Sequence, residues 1–345
     1  MKRVQKFLHT HTKKTGVIFM AKARSLDGLK TLSENRRRAT SGPPAGKQRM
    51  RKSWLRILMP YLWILPALLL YGTFKLYPLI NGIWLSLLNW DGIDDPVFIG
   101  LHNFQRMFSD DQLGVALWHN VEYAFGSVIG KIVLSLLLAV LINQQLRGRG
   151  IYRTVLFMPV VMSFVVVALL WAWLYNYQFG LINNLFHILG LGFLSQDWLG
   201  NPKLSLWSEI AVDIWKWYGF HMVIFLSGLQ TIPTELYEAA LVDGASRLDQ
   251  FFHITLPLLQ PVMVINVTIA LAGAFNTFDI PYLMTQGGPG NATLVLGLHI
   301  YQQAFQFNRL GYGSALSYAL FILVSVVVLL QLKFMLPRQS SEGNH

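Results

Sequence analysis

Polar and apolar positions separate on a coarse scale along this chain: six long apolar runs alternate with shorter polar stretches. The runs cover 57–88, 121–142, 155–175, 208–229, 262–283 and 315–336. Each approaches or exceeds the ~20 residues that an α-helix needs to cross a bilayer core. The pattern predicts an all-α membrane protein with six transmembrane helices. The first run is overlong and holds Pro60, Pro66 and Pro78. It is expected to start at the interface, kink at Pro78 and tilt.

Composition agrees with that reading. Of 345 residues, 53% are hydrophobic and only 13% charged, about half the charged share of a soluble domain. Cysteine is absent, which excludes disulfides, thiolate metal sites and cysteine nucleophiles. The nine histidines are scattered without a ligand-like spacing, so neither metal nor cofactor is expected.

The net charge of +11 changes meaning once it is located. More than half of the Lys and Arg residues precede residue 57, including Arg36, Arg37 and Arg38. Residues 1–53 are therefore expected to form a basic, disordered leader that contacts lipid headgroups at most. No folded nucleic-acid platform accompanies the charge, so no nucleic acid is expected as partner. Met50 also offers an alternative start immediately before the first run. Arg147, Arg149 and Arg153 lie between the second and third runs, Arg247 follows the fourth, and Lys333 and Arg338 close the sixth. Asp91, Asp94, Asp95, Asp110 and Asp111 mark the opposite side. The positive-inside bias places both termini, including the tail 338–345, in the cytoplasm.

One connection does not behave like a linker. Residues 230–260, between the fourth and fifth runs, are neither apolar enough to span nor irregular. Thr234 is a candidate N-cap with Glu235 in the first turn, and Glu238, Ala239 and Ala240 favour helix. Gly244 permits a sharp turn, a second short helix is expected from Ser246 to about Ile254, and Pro257 suits the start of the next span. Small Ala239 and Ala240 would let another protein approach closely. An interfacial hairpin that merely connects two spans fits the same periodicity.

Glu238-Ala239-Ala240, then Gly244, then Ile254-Thr255-Leu256-Pro257 resembles the EAA loop of ABC importer permeases. Phe98-Ile-Gly-Leu-His-Asn-Phe104, Gly287-Gly-Pro289 and Gly311-Tyr-Gly-Ser-Ala315 resemble the first permease of binding-protein-dependent importers for maltose, oligosaccharides or glycerol phosphate. The resemblance covers 54–337 and implies a type I ABC importer permease fold with a cytoplasmic coupling helix. Glu238, Ala239, Ala240, Asp243, Gly244, Leu256 and Pro257 would contact an ATPase subunit. The implied partners are a second permease, two ATP-binding subunits and an extracytoplasmic solute-binding protein, in a bacterial inner membrane. The GxxxxGK[ST] pattern does not occur, so ATP hydrolysis is expected on those separate subunits and the chain is not expected to be an enzyme.

A sugar path needs hydroxyl-directed polar groups beside aromatic faces. Asp213, Trp217 and Phe220 share one face of the fourth run, and Asn276 and Asp279 lie one turn apart in the fifth. These five are the candidate substrate-pathway residues. Lys216 would either neutralise Asp213 or Asp279 or favour an anionic substrate, and Lys131 would snorkel or pair with Glu122. Asn266 is expected to hydrogen-bond between helices. The competing function is a secondary carrier driven by an ion gradient through Asp213, Lys216 and Asp279.

Overall fold

The computed structural model describes residues 48–144 and 148–335, with side chains from residue 59 onward. Most of the basic leader, Arg147, Arg338 and the tail 338–345 lie outside the described residues. The chain divides into two units, Met1–Tyr77 and Pro78–His345. In the first unit, α1 (Gln48–Tyr71) contains Pro60 and Pro66 and passes into a π-helical turn, Gly72–Leu76. The apolar run Met59–Ser86 is long enough to cross a membrane.

The second unit opens in α2 (Tyr77–Ser86), followed by a short antiparallel hairpin, β1 (Leu88–Asn89) and β2 (Val97–Phe98), with Leu88 opposite Phe98. Asn103, in α3 (His102–Arg106), closes this corner. Its buried amide donates to the carbonyls of Ser86 at 2.9 Å and Leu88 at 2.8 Å, supplying partners that the end of α2 lacks.

Helix α4 (Asp111–Asn143) begins ten residues before the predicted run. The Asp110 carboxylate caps it by accepting from the N–H groups of Gln112 and Leu113, so the polar first turns are stabilised without being apolar. Along α4 the amphipathicity is inverted. Ser127, Lys131 and Ser135 are buried on one face, while Ile129, Val133, Leu137 and Leu141 are exposed on the other. Polar atoms meet other helices and aliphatic ones face outward, as a membrane-embedded bundle requires.

The continuous span expected over 155–175 is instead two helices, α5 (Arg149–Val161) and α6 (Phe164–Leu174), bent by 96°. Pro159 lacks the N–H that would continue the ladder, Met162 is extended, and the Ser163 hydroxyl caps α6 by accepting from Val166 N–H. After α7 (Leu181–Ile188), α8 (Ser205–Leu229) forms the centre of the bundle. Glu209, Asp213 and Lys216 are all buried in it. Among the described residues four helical runs are long and apolar enough to span, or five if the bent pair is one span; α8 falls outside that count.

The short helices α9 (Thr234–Val242), α10 (Arg247–Gln250) and α11 (Leu256–Leu258) lead to α12 (Gln260–Phe275), which breaks before α13 (Asp279–Met284). The next span thus starts at Gln260, with Pro261 in its first turn, and Pro257 sits one short helix earlier. Helices α14 (Leu296–Tyr301) and α15 (Leu310–Met335) complete the unit.

Close packing of α8 rests on glycines. A Cβ on Gly130 of α4 would collide with the Ile214 side chain, and one on Gly219 would strike the Leu156 carbonyl of α5. These contacts bring α4, α5 and α8 near enough for their polar side chains to meet.

Candidate functional site

Two arrangements carry chemistry. The first is a cavity of about 490 Å³ between α4, α6, α8, α12 and α13, within the size range of small-molecule sites. All five sequence-selected residues line it: Asp213, Trp217 and Phe220 from α8, Asn276 just past α12, and Asp279 from the first turn of α13. Trp217 bridges an aromatic ledge, 6.3 Å from the Phe164 ring and 5.9 Å edge-on from Phe220.

Lys131 and His221 also line the cavity and were not selected as pathway residues. Lys131 does not pair with Glu122: its ammonium meets the Asp213 carboxylate at 2.5 Å, and both are nearly inaccessible. The available signal was its position as a lysine in the middle of an apolar helix; the sequence did not reveal the partner. Lys216 pairs with neither aspartate. It donates to the carbonyls of Met162 at 2.7 Å and Val160 at 3.4 Å and lies over the Phe164 and Trp217 rings at 4.6 and 5.3 Å. The last turn of α5 has unpaired carbonyls where the span breaks, and a cation is the natural complement there. Asn266 forms the expected interhelical link, its amide donating to the His221 carbonyl at 3.0 Å and its oxygen meeting His221 Nδ1 at 2.6 Å.

Nearby, buried Glu209 accepts from the Thr285 hydroxyl at 2.7 Å. Thr285 meets Thr293, which donates to the Gly288 carbonyl at 3.0 Å. Glu209 thus ties α8 to the glycine-rich turn 287–290.

The second arrangement is the loop between α8 and α12. Helix α9 ends with a hydrogen-bond pattern that glycine enables. Gly244, at φ +82°, donates to Leu241 at 3.1 Å, and Ala245 donates back to Ala240 at 2.9 Å. This pair of bonds satisfies the last carbonyls and reverses the chain. Pro233, rather than Thr234, occupies the N-cap position, and Thr234 is the first helical residue. Ser246 caps α10 in a reciprocal capping box with Asp249. Hydrogen bonds from the Ser246 side chain and backbone hold the Asp249 carboxyl below the usual carboxylate range. The second helix is shorter than expected, because a π-helical turn follows over Phe251–Thr255. Tyr237 and Thr255 hydroxyls meet at 2.9 Å and join the two halves.

Of the selected loop residues, Glu238, Ala239, Asp243, Gly244 and Pro257 are exposed, and Ala240 and Leu256 are half-buried. Leu241, Val242, Leu248 and Phe252 are exposed beside them. Ala240, Asp243 and Gly244 line a shallow cleft with His253 and Ile254. A polar loop that displays four large apolar side chains presents a surface to another molecule.

Residues 131–340 match the family described as binding-protein-dependent transport system inner membrane component. The trehalose/maltose transport system permease protein MalF of Thermococcus litoralis is 36% identical over 274 residues, covering 79% of this chain and 92% of that protein. The arabinooligosaccharides transport system permease protein AraP of Bacillus subtilis is 36% identical over 279 residues, covering 79% and 87%. The chain belongs to this family of ABC transporter permeases. The fold agrees. In the crystal structure of a bacterial ABC transporter involved in the import of the acidic polysaccharide alginate, one chain matches with a TM-score of 0.73 at 25% identity, covering 86% of this permease and 100% of that chain. The resemblance read from the loop is thus borne out, and the permease is a multi-pass protein of the inner membrane with the type I importer fold.

Proposed function

We propose that this permease forms half of the translocation pathway of an ATP-driven carbohydrate importer. The observation that carries the reading is the cavity itself, which puts Asp213, Asn276 and Asp279 beside the ledge of Trp217, Phe220 and Phe164. Sugar rings stack their apolar faces on aromatics and direct hydroxyls to carboxylates and amides. The sugar-transport names of MalF and AraP support the same class.

In this reading the chain crosses the membrane six times. The bent pair α5–α6 counts as one span, and α8 spans despite its three ionisable residues because each is buried against other helices. Both termini and the α9–α10 loop face the cytoplasm. A second permease completes the cavity, two ATP-binding subunits hydrolyse ATP, and an extracytoplasmic solute-binding protein delivers the sugar. Helix α9 is the coupling helix. Its exposed Glu238, Ala239 and Asp243, with the half-buried Ala240, dock on one ATP-binding subunit, and the turn at Gly244 sets the angle at which closure of that subunit pushes on α12.

The test is co-purification with the ATP-binding subunit together with uptake of a labelled oligosaccharide by the complete complex. Glu238→Lys is expected to lose both the bound subunit and ATP-dependent uptake while the permease remains folded in the membrane. Gradient-driven uptake by the isolated chain in liposomes would overturn the proposal in favour of a secondary carrier.

A further inference from the structure

The charges around the cavity sort into one compensated pair and one carboxylate without a counter-ion. Lys131 is neutralised by Asp213 at 2.5 Å. Lys216 is turned away onto the carbonyls of Val160 and Met162 and does not line the cavity. His221 is committed to Asn266. Asp279 lines the cavity, is exposed, and has no ion-pair partner among the described residues. This half of the cavity therefore carries one net negative charge beside an aromatic ledge.

From this arrangement we infer that the cavity admits uncharged, hydroxyl-rich sugars and excludes those bearing carboxylate or phosphate groups. The inference rests on the carbohydrate reading and narrows its substrate class. The Asp279 carboxylate has two oxygens that accept hydrogen bonds from neighbouring sugar hydroxyls. The same carboxylate repels an anionic substituent. At the few-ångström separations of such a cavity, with the effective dielectric of a partly wet site, one like charge weakens binding by about tenfold or more. No cation offsets it, because the ammonium of Lys131 already faces Asp213.

The experiment uses the full complex, purified with its partner subunits, and saturation-transfer NMR at pH 7 and low salt. The probes are neutral trisaccharides and the same trisaccharides with every C6 hydroxyl oxidised to a carboxylate. The expected result is binding of a neutral form with its oxidised form weaker by about tenfold or more. Raising the salt should shrink that gap. Asp279→Asn removes the exposed charge without disturbing a buried pair and should close most of the gap. Asp213→Asn frees the Lys131 charge, and where that variant folds it should favour the oxidised form.

Equal or tighter binding of the oxidised trisaccharides to the unaltered complex would overturn the inference and leave the carbohydrate reading intact. An unchanged gap in Asp279→Asn would overturn it as well. Failure of every trisaccharide, neutral or oxidised, to bind would overturn the carbohydrate reading and the inference with it.

Discussion

In the loop between α8 and α12, Glu238, Asp243 and Asp249 stand in the open, and most of the shaping hydrogen bonds join residues five or fewer positions apart. In the cavity, Lys131 of α4 meets Asp213 of α8, and Asn266 of α12 meets His221 of α8. One region is assembled from a single continuous stretch, the other from helices distant along the chain. Charge follows the same division. Solvent screens the loop carboxylates, so they are free to serve a partner, whereas a cavity charge must find its counter-ion inside the protein.

The largest expected effect tests whether the cavity pair depends on tertiary packing. Lys131→Met leaves the Asp213 carboxylate buried without its partner and is expected to destabilise the permease by about 3–5 kcal/mol. A fall in the thermal unfolding temperature of the detergent-solubilised complex measures it. Adding Asp213→Leu should recover most of the loss, and failure to recover would mean that the pair does more than neutralise charge.

A smaller effect tests the local character of the loop. Gly244 sits at φ +82°, where an L-residue costs about 1–2 kcal/mol. Gly244→Ala is expected to loosen the turn, leave global stability nearly unchanged and lower uptake. Gly244→Pro also removes the hydrogen bond to Leu241 and should abolish uptake with the cavity intact. Comparing uptake with thermal stability of the same variants separates local from global effects.

The smallest effect concerns Asp110, which joins both styles by capping α4 locally and accepting from distant groups. Burial alone would raise its carboxyl. Hydrogen bonds from Tyr312 at 2.7 Å and His299 at 3.0 Å outweigh that and hold it below the usual carboxylate range. A carboxyl depressed in the folded state contributes stability above its unfolded value, about pH 3.9, and that contribution is lost as pH falls through the folded value. Unfolding scans below about pH 4 should therefore show an acid-dependent loss that Asp110→Asn lacks.

The sequence by itself determined the membrane class, the approximate helices and the loop, because hydrophobic runs and short-range turn chemistry are written in neighbouring residues. The Gly244 turn and the Ser246–Asp249 capping box follow from spacing alone, although the N-cap fell on Pro233 rather than Thr234. The sequence also selected all five cavity residues, since an ionisable or amide group in an apolar run has few roles other than an interior one. Tertiary structure decided which charges meet. Lys131 and Lys216 each lie in an apolar run, and nothing local says that one faces Asp213 while the other caps a broken helix. That break at Met162–Ser163, and the glycine contacts that bring α4 and α5 against α8, set which carboxylate keeps its charge exposed. Pairing across helices depends on approach distances of a few ångströms, which residue order along one chain does not encode.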